Sequence, residues 1–336
     1  TDLASLDELD LELTANGPSL GAVARALGME HWPDLPFSIE GTAKRVGSTL
    51  NISQTKFDIG GTELLLDALL SNFPSLDSGR VRLSVVGDDA TQFRELLGVH
   101  GVATGPFEIQ GRLDVSPQEV ELLHLEVKTS IGHLVVSGTL GSGPTYDGSK
   151  LHLHVDGNNA HTFMSIFNIN AMPEDSFNLD AQIETTDNGV LLERFLLVTS
   201  ENEQFKLGGY LSYKPGSRDT AVDVTINGKH LYRTLQKLVP GIEVPDLPYD
   251  LSGHVQVQRE NIQLHEVKVG FADIELSLAG SVSLRDHFVD TSLDFRVDGR
   301  DLSTLKEVPG LRSSLNAFVP GQSYHAAGRF YMASSG

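Results

Sequence analysis

Short runs of alternating apolar and polar residues fill this chain. In KLHLHVDG (150–157), Leu151, Leu153 and Val155 share one parity while Lys150, His152 and His154 share the other. AVDVTING (221–228) sets Val222, Val224 and Ile226 against Asp223 and Thr225, and TSLDFRVDG (291–299) behaves alike. Successive side chains of a strand point to opposite faces, so this period of two predicts β-strands. One face is dry and the other wet, as in an antiparallel sheet that buries a single side.

The strand endings repeat. TANGPSLGAVARALG (14–28), VVGDDATQFRELLG (85–98), VDGNNAHTFMSIFN (155–168), INGKHLYRTLQKLV (226–239) and VDGRDLSTLKEVPG (297–310) each carry a Gly, one residue, a capping type and a short helical pattern. Their glycines, Gly17, Gly87, Gly157, Gly228 and Gly299, are spaced 70, 70, 71 and 71 residues apart. Such a register marks an internal repeat in an elongated body. The units are 1–79, 80–149, 150–220, 221–290 and a truncated fifth at 291–336. Each glycine is expected to let the backbone turn. Ser19, Asp89, Asn159, His230 and Asp301 occupy the capping position, where the His predicts a weaker cap. Leu27, Leu97, Phe167 and Leu238 mark the apolar helix face. The next strand recurs as PFSIEG, PFEIQG, SFNLDA and PYDLSG, closing on Gly41, Gly111, Ala181 and Gly253. Ser176 and Ala181 depart from the pattern, so the third copy is expected to differ locally.

The strand after that changes parity midway. Leu50 and Ile52 precede Phe57 and Ile59, and Val120 and Leu122 precede Leu125 and Val127. Val190 and Leu192 precede Phe195 and Leu197, and Ile262 and Leu264 precede Val267 and Val269. A parity switch would send half of each set to the wrong side. One inserted residue, a β-bulge, restores the facing. It is expected near Gln54, His124, Arg194 and Glu266. A tight turn would also do it, but no Gly or Pro stands there.

One short helix per unit is too small to cover three or four one-sided strands. A second sheet would make those apolar side chains plain core; an open groove would leave them to a ligand. Here the order strand, G-x-(D/N/S), helix, PF-x-(I/L)-x-G, bulged strand, G-x-L resembles the AsmA-like proteins of Gram-negative cell envelopes. It is carried by Gly17, Pro36 to Gly41, Gly87, Asp89, Pro106 to Gly111, Gly138, Gly157, Gly228, Pro248 to Gly253, Gly280 and Gly299. The resemblance implies a mainly β fold with short helices, its antiparallel repeats curled into an open apolar groove. It implies a periplasmic protein, anchored in the inner membrane, that conducts phospholipid acyl chains between inner and outer membranes. The expected groove lining is Leu50, Ile52, Phe57, Ile59, Val120, Leu122, Leu125, Val127, Leu151, Leu153, Val155, Val190, Leu192, Phe195, Leu197, Val222, Val224, Ile262, Leu264, Val267 and Val269. Two alternatives stay open: a scaffold for outer-membrane protein assembly, and an inert β-sandwich stalk or adhesin.

Composition narrows the partners. The chain has 336 residues, 25 Lys plus Arg and 45 Asp plus Glu, for a net charge of -20. Nucleic acid and an anionic membrane surface would both repel it. With no cysteine there is no disulfide framework or thiol chemistry. No apolar run is long enough for a transmembrane helix, and TDLASLDELD is no signal peptide. The pattern starts and stops mid-repeat, so the sequence is expected to be a piece of a longer protein that carries the membrane anchors. No catalytic group, cofactor or metal is expected. His152, His154, Asp156 and His161 could conceivably ligate a metal, but they fit a solvated strand face. SQTK (53–56) matches a nucleophile motif that needs a helix start, yet falls on a strand. GTLGSG (138–143) lacks the lysine of a phosphate loop and reads as a strand end.

Overall fold

The computed structural model describes residues 8–26, 32–72, 77–93, 104–141, 146–165, 172–212, 220–233, 246–258, 261–283, 289–301 and 321–332. The chain divides into two compact units, the first Thr1–Asn158 with Thr162–Asn168, the second Asn159–His161 with Ile169–Gly336. In the first lie β1 (Glu8–Gly17), α1 (Leu20–Ala26), β2 (Phe37–Val46), β3 (Thr49–Ile59), β4 (Thr62–Ser71) and β5 (Ser78–Gly87). A 3-10 turn (Ala90–Phe93), β6 (Phe107–Val115), β7 (Val120–Thr129), β8 (Gly132–Leu140) and β9 (Lys150–Gly157) complete it. After α2 (Ala160–Ser165) come β10 (Phe177–Thr186), β11 (Gly189–Thr199), β12 (Gln204–Ser212), β13 (Ala221–Gly228) and β14 (Tyr249–Gln258). Last are β15 (Asn261–Phe271), β16 (Ile274–Ser283), β17 (Thr291–Gly299) and β18 (Tyr324–Met332).

The protein is mainly β with short helices. The order strand, helical turn, three strands recurs at the expected period. Within each unit the strands pair antiparallel in sequence order, β1 through β9 and β10 through β18. In neither unit does the first strand pair with the last, so neither sheet closes into a barrel. Among the described residues no helix is long and apolar enough to cross a membrane.

All four expected bulges are present. Ile52 opposes Ala68 and Thr55 opposes Leu66, so Ser53 and Gln54 share one partner position. The same shift separates Leu122 from Leu125, Leu192 from Phe195, and Leu264 from Val267. Gln54 and Glu266 take positive φ, 53° and 49°. The Gln54 amide donates to Asp67 Oδ1 at 2.9 Å, which replaces the ladder bond lost at the bulge.

The strand-ending glycines do a different job from the turn-making expected of them. Gly17, Gly87, Gly228 and Gly299 stay extended in the ladder, opposite Phe37, Phe107, Tyr249 and Tyr324. An added Cβ would lie 2.8 Å from the Phe37 ring at Gly17 and 2.6 Å from the Phe107 ring at Gly87. Glycine is needed there because the aromatic that opens the next strand lies flat across it.

Each helix start is tied to the segment that leads into the following strand. Leu20 and Gly21 amides donate to the carbonyls of Leu35 and Pro33, at 2.8 and 2.9 Å. Ala160 and His161 amides reach Asp175 and Pro173 likewise, and Leu231 reaches Leu247 at 3.1 Å. These bonds satisfy amides that a helix start leaves without partners. Ser19 caps α1 through its Oγ, 3.0 Å from the Ala22 amide, and Asp89 accepts from Thr91 at 3.0 Å. His230 instead sets Nδ1 3.0 Å from Asp246 Oδ2. The third copy keeps the strand-opening bond despite Ser176. The Ser176 carbonyl accepts from Ser200 at 2.8 Å, as Pro36 accepts from Gly60 at 2.9 Å. Ala181 sits buried where the other copies have Gly. The helix-face residues Leu27, Leu97, Phe167 and Leu238 lie outside the described residues.

Candidate apolar binding face

The ladders place all the expected lining residues on one face of their unit. In the first unit Ile59, Phe57, Ile52 and Leu50 oppose Phe37, Ile39, Ala43 and Arg45 on β2. The same face runs on through Leu64, Val85, Ile109, Val127, Leu134 and Val155, each opposite the next across β4 to β9. In the second unit Leu197, Phe205, Ile226, Leu251, Val269, Leu276 and Val297 make an equivalent row across β11 to β17. The bulges hold this face together, since without them each β3-type strand would turn half its apolar residues outward.

The expected lining residues fall into two classes. Leu122, Val155, Leu192, Leu197, Val267 and Val269 are buried, Leu197 to 0 % exposure and Val155 to 2 %. The other fifteen are half-buried: Leu50, Ile52, Phe57, Ile59, Val120, Leu125, Val127, Leu151, Leu153, Val190, Phe195, Val222, Val224, Ile262 and Leu264. A sealed sandwich core would bury nearly all of them. Among the described residues the helical turn packs at one end of the strands. In the second unit Leu231 packs with Tyr249 and Val269, flanked by Ile226, Leu251, Phe271 and Leu276. Strands unmarked from the sequence contribute as much as those marked. Leu64 and Leu66 on β4, or Leu276 and Leu278 on β16, alternate as cleanly and face the same way.

Arg45 is the one charged side chain on this face among the described strand residues. It is 7 % exposed, and its Nε donates to the Gly47 carbonyl at 2.8 Å. The opposite face is laced with ion pairs, some across strands and some along one. Lys56 meets Glu63, Arg329 Nε meets Asp294 at 2.6 Å, and Lys128 meets Glu126 at 3.0 Å. Lys128 and His133 beside Glu126 hold its carboxyl below its ordinary range, and Arg329 does the same for Asp294. This face also carries isolated apolar side chains, among them Leu65, Leu69, Val86 and Leu123.

The weaker chemical motifs come apart in three dimensions. His154 Nε2 lies 3.4 Å from Asp156 Oδ2 and His133 Nδ1 4.0 Å from it, both on the polar face. Among the described residues no group of three or more His, Asp or Glu is placed to hold a metal ion. Ser53 and Lys56 straddle a bulge, with Ser53 bonded to Thr42 and Lys56 engaged by Glu63. Gly138 to Leu140 end strand β8. Comparison with protein-family models, with curated proteins and with solved structures finds no match to this chain.

Proposed function

We propose that this chain is a lipid-binding segment of an AsmA-like envelope protein. Phospholipid acyl chains lie against the apolar face of each unit while head groups stay in water. The parent protein, held in the inner membrane of a Gram-negative cell, conducts these lipids through the periplasm to the outer membrane. The segment acts as a binding and conducting surface rather than as an enzyme.

One observation carries the reading. A continuous aliphatic face recurs in register through each unit, and most of its side chains keep partial exposure among the described residues. Contiguous apolar surface of this kind marks a binding site, since soluble proteins rarely leave it open. Its chemistry is repetitive, made of Leu, Val, Ile and Phe, which suits a ligand recognised by greasiness and able to slide. Moving a two-tailed lipid of roughly 30 methylenes through water would cost on the order of 25 kcal/mol, at about 0.8 kcal/mol per methylene. A surface that keeps those methylenes covered removes most of that barrier.

Organic extraction and native mass spectrometry of the purified chain test this. Phospholipid is expected in the folded protein. Leu153→Asp, on the apolar face, should lower its amount several-fold, and His154→Asp, one residue along on the polar face, should leave it unchanged. A folded sample free of lipid, or an equal effect of the two substitutions, would sink the reading.

A further inference from the structure

Arg82 on β5 and Arg112 on β6 stand directly opposite each other on the polar face of the first unit. Among the described ladders of both units, no other position sets two arginine or lysine side chains together. Like charges directly opposed weaken a sheet. His124, at the bulge of β7, extends the row as the ladder partner of Arg112. All three residues are exposed.

The carboxylates nearby are engaged elsewhere. Asp114 lies 3.7 Å from Arg80, and Glu126 takes Lys128 at 3.0 Å and His133 at 2.8 Å. His124 Nε2 lies 3.7 Å from Glu126 Oε2. Asp67 stands opposite Arg82 on β4, but its carboxylate accepts the Gln54 amide at the β3 bulge. Among the described residues neither the Arg82 nor the Arg112 guanidinium is held by an ion pair or a hydrogen bond.

The fold itself does not ask for two cations here. Counted from the strand-ending glycine and the aromatic opposite it, the fourth copy holds Asp223 and His254 at the same places. Those two oppose each other and pair at 2.9 Å. The first copy holds Glu12 and Thr42 there. In the second copy both places are arginine, in a chain whose net charge is -20.

We propose that Arg82 and Arg112, with His124 beside them, form a binding site for the phosphate group of a soluble phosphate monoester. Such a group carries roughly two negative charges and three acceptor oxygens at neutral pH. Each guanidinium is a planar fork matched to phosphate oxygens. One phosphate therefore reaches both arginines and cancels their repulsion. A carboxylate, with a single charge and two oxygens, satisfies one fork and leaves the other. An anionic bilayer is the poorer source of phosphate, because the net charge repels that surface. The site lies on the face opposite the apolar one and does not depend on what that face binds.

The whole chain tests this with phenyl phosphate as the probe, by calorimetric titration and thermal unfolding at fixed ionic strength. The probe should bind saturably and raise the unfolding temperature. Arg112→Gln takes away one of the two forks. It should bind the probe at least about tenfold more weakly and lose the thermal shift. Lys56→Gln, which strips Glu63 of its partner on the same polar face, should leave probe binding unchanged. No saturable binding, undiminished binding by the Arg112→Gln variant, a matching loss in Lys56→Gln, equal binding of benzoate, or binding only to phosphatidate-containing vesicles would each overturn the proposal.

Discussion

At Gly138 the backbone takes φ +137°, and a Cβ there would fall on the Lys150 carbonyl oxygen of the neighbouring strand. Gly209 and Gly280 hold the same place in later copies, with φ of +123° and +136°. Gly61, with φ +88°, has no atom within 4 Å of where a Cβ would stand. Two kinds of cost therefore separate. Gly61→Ala meets conformational strain alone, about 1 kcal/mol. Gly138→Ala meets strain and a collision with main chain that can move only by opening the ladder, for about 3 kcal/mol or more. Urea unfolding of the two variants should resolve this order; equal losses would mean that the close approach at Gly138 is not what requires glycine.

The bulge is the element on which the apolar face depends. In β7, Leu122 and Leu125 both oppose positions on the dry face because Leu123 and His124 together span a single partner residue. Deleting His124 forces a choice between register and facing. Either Leu125 and Val127 turn to water, or the ladder to β8 slips by one. We expect the deletion to cost several kcal/mol, whereas His124→Ala, which keeps the extra residue, should stay within about 1 kcal/mol. Guanidinium unfolding monitored by circular dichroism distinguishes them. The bulges were legible in sequence because a parity switch is a covalent fact of the chain. The aromatic cover over Gly17 and Gly87 was not, since nothing along the chain says that Phe37 or Phe107 lies across a glycine twenty residues earlier. The tie between α1 and Pro33 and Leu35 had a signal that could have been followed, the phrase PDLP before both PFSIEG-type and PYDLSG-type strands.

Across the whole molecule, charge sets how stability follows pH. The net charge of -20 repels itself at neutral pH, and acidification toward the isoelectric point near 4.9 relieves this. Asp34, Glu126 and Asp294 work the other way. Hydrogen bonds from Arg25, Lys128 and Arg329 hold their carboxyls below the ordinary range. A carboxyl depressed on folding contributes stability that is complete above its unfolded value and lost as pH falls through its folded one. Stability should therefore rise from neutral pH toward the isoelectric point, then fall below the ordinary carboxylate range. Urea midpoints from about pH 7 to about pH 2 should trace this maximum, and Asp294→Asn should shallow the acid-side fall. A monotonic decline from neutral pH would show that self-repulsion is not limiting.

By itself the sequence determined the strands, the repeat and the bulges, because alternation, a recurring glycine spacing and a parity switch are local properties that the covalent chain carries whatever it folds into. Only the tertiary structure decided that the sheet in each unit stays open and that its apolar face keeps partial exposure. Whether one greasy strand meets a second sheet, a helix or nothing depends on residues brought together from distant copies, and the alternation of a single strand is the same in every case.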